Sequence, residues 1–173
     1  MIRLAINGYG RIGRSVLRAL YESGAREQMQ VIAINEPADT KTMAHLTRYD
    51  STHGRFKGSI VDSDRSLTIN GDTIRITHHT QLNQLPWGEL SVDVVLECSG
   101  TFTDRDTAEQ HLTSGAKRVL FSQPADPRVD ATIVYGINHD ILTGSETIIS
   151  SAACSTNCVV PVIKVLNDAF AID

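Results

Sequence analysis

Asn7-Gly8-Tyr9-Gly10-Arg11-Ile12-Gly13 is the stretch that decides the fold, because an apolar strand run precedes it and a helical run follows. Ile2-Arg3-Leu4-Ala5-Ile6 supplies the strand, and Ile12, Val16, Leu17 and Leu20 recur at the spacing of one helix face. In that setting Gly-x-Gly-x-x-Gly reads as a nucleotide-phosphate turn. Gly8 allows the tight bend, Gly10 lets backbone N–H groups approach a pyrophosphate, and Gly13 lets helix and strand pack closely. The helix start then meets the phosphate with unpaired N–H groups and a partial positive charge.

The next apolar run, Val31-Ile32-Ala33-Ile34, ends at Asn35-Glu36, and Glu36 falls roughly 20 residues beyond the glycines, where such turns carry an acid. A carboxylate there can accept hydrogen bonds from both hydroxyls of an adenosine ribose and would repel the extra phosphate of NADP. NAD is therefore the expected cofactor.

Composition narrows the alternatives. A chain of 173 residues, 41% apolar, can bury one sizeable core with room for a second, partial unit. The net charge is −4 and the basic residues form no extended run, which argues against nucleic acid or an anionic membrane as a partner. No apolar stretch approaches the ~20 residues of a membrane span, and the chain enters a strand at once without a signal-peptide pattern. A cytoplasmic protein is expected. Cys98, Cys154 and Cys158 make an odd count, two of them four residues apart, so reduced thiols are expected.

Farther along, Met43, Leu46 and Tyr49 at three-residue steps predict a short helix over 40–49, and the polar run 50–56 predicts a turn. Leu67-Thr68-Ile69 and Ile74-Arg75-Ile76 flank Asn70-Gly71, a hairpin signal that inserts two antiparallel strands into a parallel pattern. His78-His79 follow, but neighbours on a strand point to opposite faces, so no metal site is expected. Val92 to Cys98 is a near-continuous apolar run suited to a strand buried on both faces. Thr103 is expected to head the next helix, with Asp106 in a capping arrangement and Gly115 as its stop. Val119-Leu120-Phe121-Ser122, Thr132-Ile133-Val134-Tyr135 and Thr147-Ile148-Ile149-Ser150 complete a strand-helix-strand succession. The predicted fold is α/β, a Rossmann-type doubly wound, mostly parallel sheet with an antiparallel hairpin insertion. Ligands of such sheets bind beyond the carboxyl ends of the strands, where Asn7, Glu36, Cys98 to Gly100 and Ser122 fall.

Ser150-Ser151-Ala152-Ala153-Cys154-Ser155-Thr156-Asn157-Cys158 joins the last strand to a helical run through Val162, Ile163 and Leu166. Cys154 sits near that helix start, where unpaired N–H groups favour the thiolate that attacks a carbonyl. Cys158, one turn later, is expected to pack inward. Pro161 removes a backbone donor and is expected to disturb the helix. Read from position alone, both thiols could equally be small buried hydrophobes.

Three motifs in order, Asn7 to Arg14, Tyr49-Asp50-Ser51-Thr52-His53-Gly54 and Cys154-Ser155-Thr156-Asn157-Cys158, resemble the glyceraldehyde-3-phosphate dehydrogenase family along the whole chain. The resemblance implies that Asn7, Gly8, Gly10, Arg11 and Ile12 line the pyrophosphate turn. It implies Glu36 at the adenosine ribose, and Ser99, Gly100 and Ser122 at the nicotinamide half. Cys154 becomes the catalytic nucleophile, with Ala153 and Ser155 beside it in the substrate site. Ile34-Asn35-Glu36, Leu120-Phe121-Ser122 and Asp130 to Gly136 look most like the erythrose-4-phosphate dehydrogenase branch, whereas Gly100-Thr101-Phe102-Thr103 looks more like the glyceraldehyde enzymes.

Two positions depart from the pattern: Thr80 stands where a cofactor-contacting arginine is usual, and Ala153 where a serine commonly precedes the nucleophile. The resemblance further implies a sugar-phosphate aldehyde as substrate and a full-length homotetramer. Residues 1–151 would form the NAD-binding domain and 152–173 the first helix of a catalytic domain otherwise absent. All six histidines precede Cys154, so this chain is expected not to turn over by itself. A cofactor-holding module without catalysis, or a thiol redox protein, are the competing functions; the four-residue cysteine spacing lacks the Cys-x-x-Cys form of the latter.

Overall fold

Strand β1 (Ile2–Asn7) runs into the glycine turn and then helix α1 (Arg11–Glu22), after which β2 (Met29–Asn35) returns parallel to β1. The structure is a computed structural model that describes residues 1–171; the last two residues of the expected 152–173 segment lie outside the described residues. Helix α2 (Thr40–Arg48), the two-residue pair β3 (Tyr49–Asp50) and β4 (Gly54–Arg55), and the strands β5 (Ile60–Ser63), β6 (Ser66–Ile69) and β7 (Asp72–Thr77) follow. Next come β8 (Val94–Glu97), α3 (Arg105–Thr113), β9 (Arg118–Phe121), β10 (Ala131–Thr132), β11 (Ile148–Ser150) and α4 (Cys154–Phe170).

The nine-stranded sheet has the order β10-β11-β9-β8-β1-β2-β7-β6-β5, parallel except for the pairings of β6 with β5 and with β7. The chain builds outward from β1 to β2 and β7, then crosses back to lay β8 on the other side of β1. That reversal makes the carboxyl ends of β1 and β8 the switch point of the sheet, where a ligand crevice opens.

Alternation along the strands separates two cores. Leu4 and Ile6 join Leu17 and Leu20 of α1 and Met43 of α2, while Ala5, Ala33 and Val95 face Leu85, Trp87 and Val92 on the other side. Between β1 and β2 the register slips: Leu4 pairs with Val31 but Ala5 with Ala33, leaving Ile32 as the extra residue of a bulge. The slip aligns Asn7 with Asn35 at the strand ends.

Several expectations need correcting. The buried side of α1 is Gly13, Leu17, Arg18 and Leu20, whereas Ile12 is exposed, because it sits at the helix start in front of the turn. Arg18 is buried because it donates to the Gly54 and His53 carbonyls and lies over the Phe56 ring, holding the 50–56 loop under α1. In α2 the inward residues are Thr40, Met43, Ala44 and Thr47, with Leu46 and Tyr49 exposed. The Asn70-Gly71 turn is present, both residues at positive φ, but β7 also pairs parallel with β2, so the hairpin extends the main sheet rather than interrupting it.

Asp104, not Thr103, caps α3, its carboxylate accepting from the Thr107 N–H at 2.8 Å. Of the expected strand Thr132 to Tyr135 only Thr132 pairs, in the two-residue β10, and Tyr135 is exposed; the Asn138 side chain instead turns the chain by accepting from Val134 N–H and donating to the Thr132 carbonyl. Helix α4 continues through Pro161 and buries none of its residues. Cys158 is therefore exposed, not packed inward.

Candidate functional site

The carboxyl ends of β1, β2 and β8 enclose an open crevice of about 400 Å³, lined among others by Asn7, Gly8, Gly10, Glu36 and Ser99. The three glycines act for three different reasons. Gly8 has φ +89°, and a Cβ there would run into the Ser99 backbone. Gly13 packs α1 against the turn, since a Cβ would meet the Gly8 carbonyl and lie 3.1 Å from Ile6 Cγ2. A Cβ on Gly10 would meet nothing of the protein, so the space that Gly10 leaves open lies in front of the helix start. No side chain caps α1 and no acid occupies its first turn, which leaves its N–H groups to an anionic ligand. A dinucleotide pyrophosphate fits these features.

Glu36, directly after β2, is half-buried on the crevice wall. One oxygen accepts the Tyr9 N–H at 2.6 Å and the other the Ala38 N–H at 3.2 Å, so the carboxylate also braces the glycine turn. The His78 ring bonds to the Glu36 carbonyl at 2.7 Å. Asn7 turns its amide inward, toward Glu97 at 2.6 Å and Asn35 at 2.8 Å, and is only 3% exposed.

Arg11 and Ile12 are exposed at the start of α1 and Gly100 follows Ser99 at φ +73°. Ser122 continues β9, donates its N–H to the Glu97 carbonyl and bonds Gln123 through its hydroxyl. None of these four lines the crevice wall itself. Thr80 does line it, with His79 and Leu82 from the same loop after β7 and Phe102 from the loop after β8; apart from Thr80, these lie beyond the strand ends that a strand-by-strand reading points to. Cys98 is buried beside the crevice, and burial pushes its thiol up to about 11, with a hydrogen bond to Ser122 pulling the other way.

Cys154 is the first residue of α4 and exposed. The loop before it is fixed from both sides. Ser151 bonds the Phe121 carbonyl through its N–H and its hydroxyl, and Asn157 donates its amide to the Ser151 and Ala153 carbonyls. Ala152 takes φ +59° between them, a left-handed conformation that costs an alanine roughly 1 kcal/mol. Ala153 is the uncapped residue before the helix and Ser155 is exposed within its first turn. Because β11 follows β9 and β8 in the sheet, Cys154 stands beyond the same sheet edge as Asn7 and Ser99, three strands from β1.

His53 is held on Asp50 at 3.1 Å and lines a groove with Tyr21 and Phe56 rather than the crevice. Among the described residues no group of His, Cys, Asp and Glu could hold a metal ion, and no helix is long and apolar enough to cross a membrane. The family model described as the glyceraldehyde 3-phosphate dehydrogenase NAD binding domain matches residues 2–105, ending before Cys154. The chain belongs to the glyceraldehyde-3-phosphate dehydrogenase family through this NAD-binding domain, and its cofactor is NAD.

Proposed function

We propose that the chain is the cofactor-binding part of a cytoplasmic, homotetrameric dehydrogenase that oxidises D-erythrose 4-phosphate to 4-phosphoerythronate. The observation supporting the chemistry is the exposure of Cys154 at the first residue of α4, where unpaired N–H groups favour a developing negative charge. The thiolate adds to the aldehyde carbon, the resulting thiohemiacetal gives up the hydride of its C–H bond to leave a thioester, and water releases the acid and restores the thiol. Bound NAD supplies the acceptor for that hydride.

The thiol proton and the hydroxyl proton of the thiohemiacetal need a base. His111 is buried and fully engaged, His53 is held on Asp50, and His139 accepts the Gly136 N–H; His78 and His79 follow β7, five strands from the β11 that leads to Cys154, and His45 lies on α2 beside the Tyr49 ring. We assign the base to a catalytic domain that begins at residue 152, with α4 as its first helix and the exposed Val162, Ile163 and Val165 as the surface on which the rest packs.

Ala153 carries no hydroxyl where the family resemblance puts an inorganic-phosphate contact, a loss of about 1 kcal/mol that favours water over phosphate as acceptor. In the full-length enzyme, D-erythrose 4-phosphate with NAD should give NADH and free 4-phosphoerythronate, abolished by Cys154→Ser. Faster turnover of D-glyceraldehyde 3-phosphate with acyl phosphate as the main product would instead identify the glycolytic member of the family, and no NADH with either aldehyde would leave a cofactor-holding module.

A further inference from the structure

We propose that Glu97, which no catalytic step uses, is a positioning residue that holds the Ser99 loop against the first glycine of the phosphate turn. Glu97 ends β8 and is wholly buried, and among the described residues no arginine or lysine pairs with it; the wholly buried His111 bonds it through Nε2. Burying a carboxylate without an arginine or lysine beside it costs several kcal/mol, so an apolar residue would serve a plain core better.

Three donors point at the Glu97 carboxylate. Oε1 accepts the Ser99 N–H at 2.8 Å, and Oε2 accepts the Asn7 amide at 2.6 Å and His111 Nε2–H at 2.9 Å. These directions cannot be reversed. Trp87 Nε1, a donor only, points at His111 Nδ1 at 3.0 Å, which leaves the ring hydrogen on Nε2. Asn7 Oδ1 accepts from the Asn35 amide, and Asn35 Oδ1 accepts from the Thr77 hydroxyl and the His79 backbone N–H, each at 2.8 or 2.9 Å. A backbone N–H cannot become an acceptor, so both amides are locked with the Asn7 nitrogen toward Glu97.

Only a group that accepts at both atoms fits this socket, and a carboxamide does not. In Glu97→Gln the least costly orientation keeps the oxygen on Asn7 and His111 and turns the new –NH₂ against the Ser99 N–H. Two donors then face each other, and Ser99 must move. Its backbone touches Gly8 so closely that no Cβ fits between them, so the displacement reaches the phosphate turn. Glu36, tied to Tyr9 and Ala38, lies on the other wall and is not addressed by Glu97. This inference rests on the family's cofactor and not on the substrate proposed above.

The test is calorimetric titration of the chain with NAD and with adenosine, which lacks the phosphates, alongside backbone amide NMR spectra. Glu97→Gln should weaken NAD about tenfold, change adenosine less than threefold, and shift the amides of Gly8 and Ser99. Trp87→Phe, which leaves the grip on Ser99 in place, should lower the melting temperature yet keep the NAD affinity. If Glu97→Gln fails to fold, Glu97→Asp, which retracts the acceptors by one carbon, should give the same split. Equal weakening of NAD and adenosine, or NAD affinity lost in Trp87→Phe to the same degree, would show a general stabilising role and overturn the proposal.

Discussion

Removing the charge of Glu36 should relax the choice of NAD over NADP without abolishing cofactor binding. The carboxylate sits half-buried on the crevice wall at the end of β2. Two like charges brought to about 4 Å repel by about 4 kcal/mol at an effective dielectric constant of ~20, and by only about 1 kcal/mol in water. A half-exposed site falls between these limits, so a discrimination of about 1–3 kcal/mol, roughly five- to 150-fold, is expected of the wild type.

Glu36→Ala would confound that measurement, because it also releases the Tyr9 and Ala38 N–H groups and loosens the glycine turn for either cofactor. Glu36→Gln removes the charge and keeps an oxygen for the Tyr9 N–H, giving up only the longer 3.2 Å contact with the Ala38 N–H, toward which its –NH₂ would point. The ratio of the two dissociation constants cancels whatever either substitution does to the turn. Calorimetry with NAD and NADP should show the ratio falling toward one in both variants, with NAD itself weakened more in Glu36→Ala. Equal affinities in the wild type, or a ratio unchanged in Glu36→Gln, would refute the assignment.

Brief iodoacetamide treatment read by mass spectrometry should label Cys154 first, Cys158 more slowly and Cys98 last. Both α4 thiols are exposed but only Cys154 stands at the helix start, while burial pushes the Cys98 thiol up to about 11; equal labelling of Cys154 and Cys158 would remove the helix-start argument. Asp130 is held well below the usual carboxylate range by Arg105, then by the N–H groups of Thr147 and Ile148, so its contribution is complete above its unfolded value of roughly 4 and lost as pH falls through the lower folded value. Asp130→Asn should therefore cost about 1–2 kcal/mol at neutral pH, and urea unfolding should show that gap closing in acid; a gap independent of pH would mean the carboxylate's charge is not what matters.

What was legible in the sequence is what a local pattern decides. Gly8, Gly10 and Gly13 between an apolar strand and an apolar helix allow few backbone paths, and Asn70-Gly71 between alternating runs allows one common turn. What was not legible depends on partners distant in the chain. The bulge at Ile32 comes from the pairing of β2 with β1 and leaves no trace in the run Val31 to Ile34. Thr132 to Tyr135 has the composition of a strand, but strand propensity describes a surface waiting for neighbours, and Asn138 bends the chain away after two residues. The helical spacing places Cys158 inward by the same kind of reasoning, but α4 supplies no inward side for it.

The buried polar residues show why the site was only half readable. Glu97 stands inside an apolar run, His111 on a helix and Trp87 in a loop, and nothing about their spacing links them. Their relation is a matter of donor and acceptor direction, fixed at one end by an indole N–H and at the other by a backbone N–H. Hydrophobic periodicity records which side of an element is buried, not which polar atom will find which. A crevice built at strand ends inherits both kinds of information: the glycine turn that opens it can be read locally, and the network that holds its walls apart or together can be seen only when β1, β2 and β8 lie side by side.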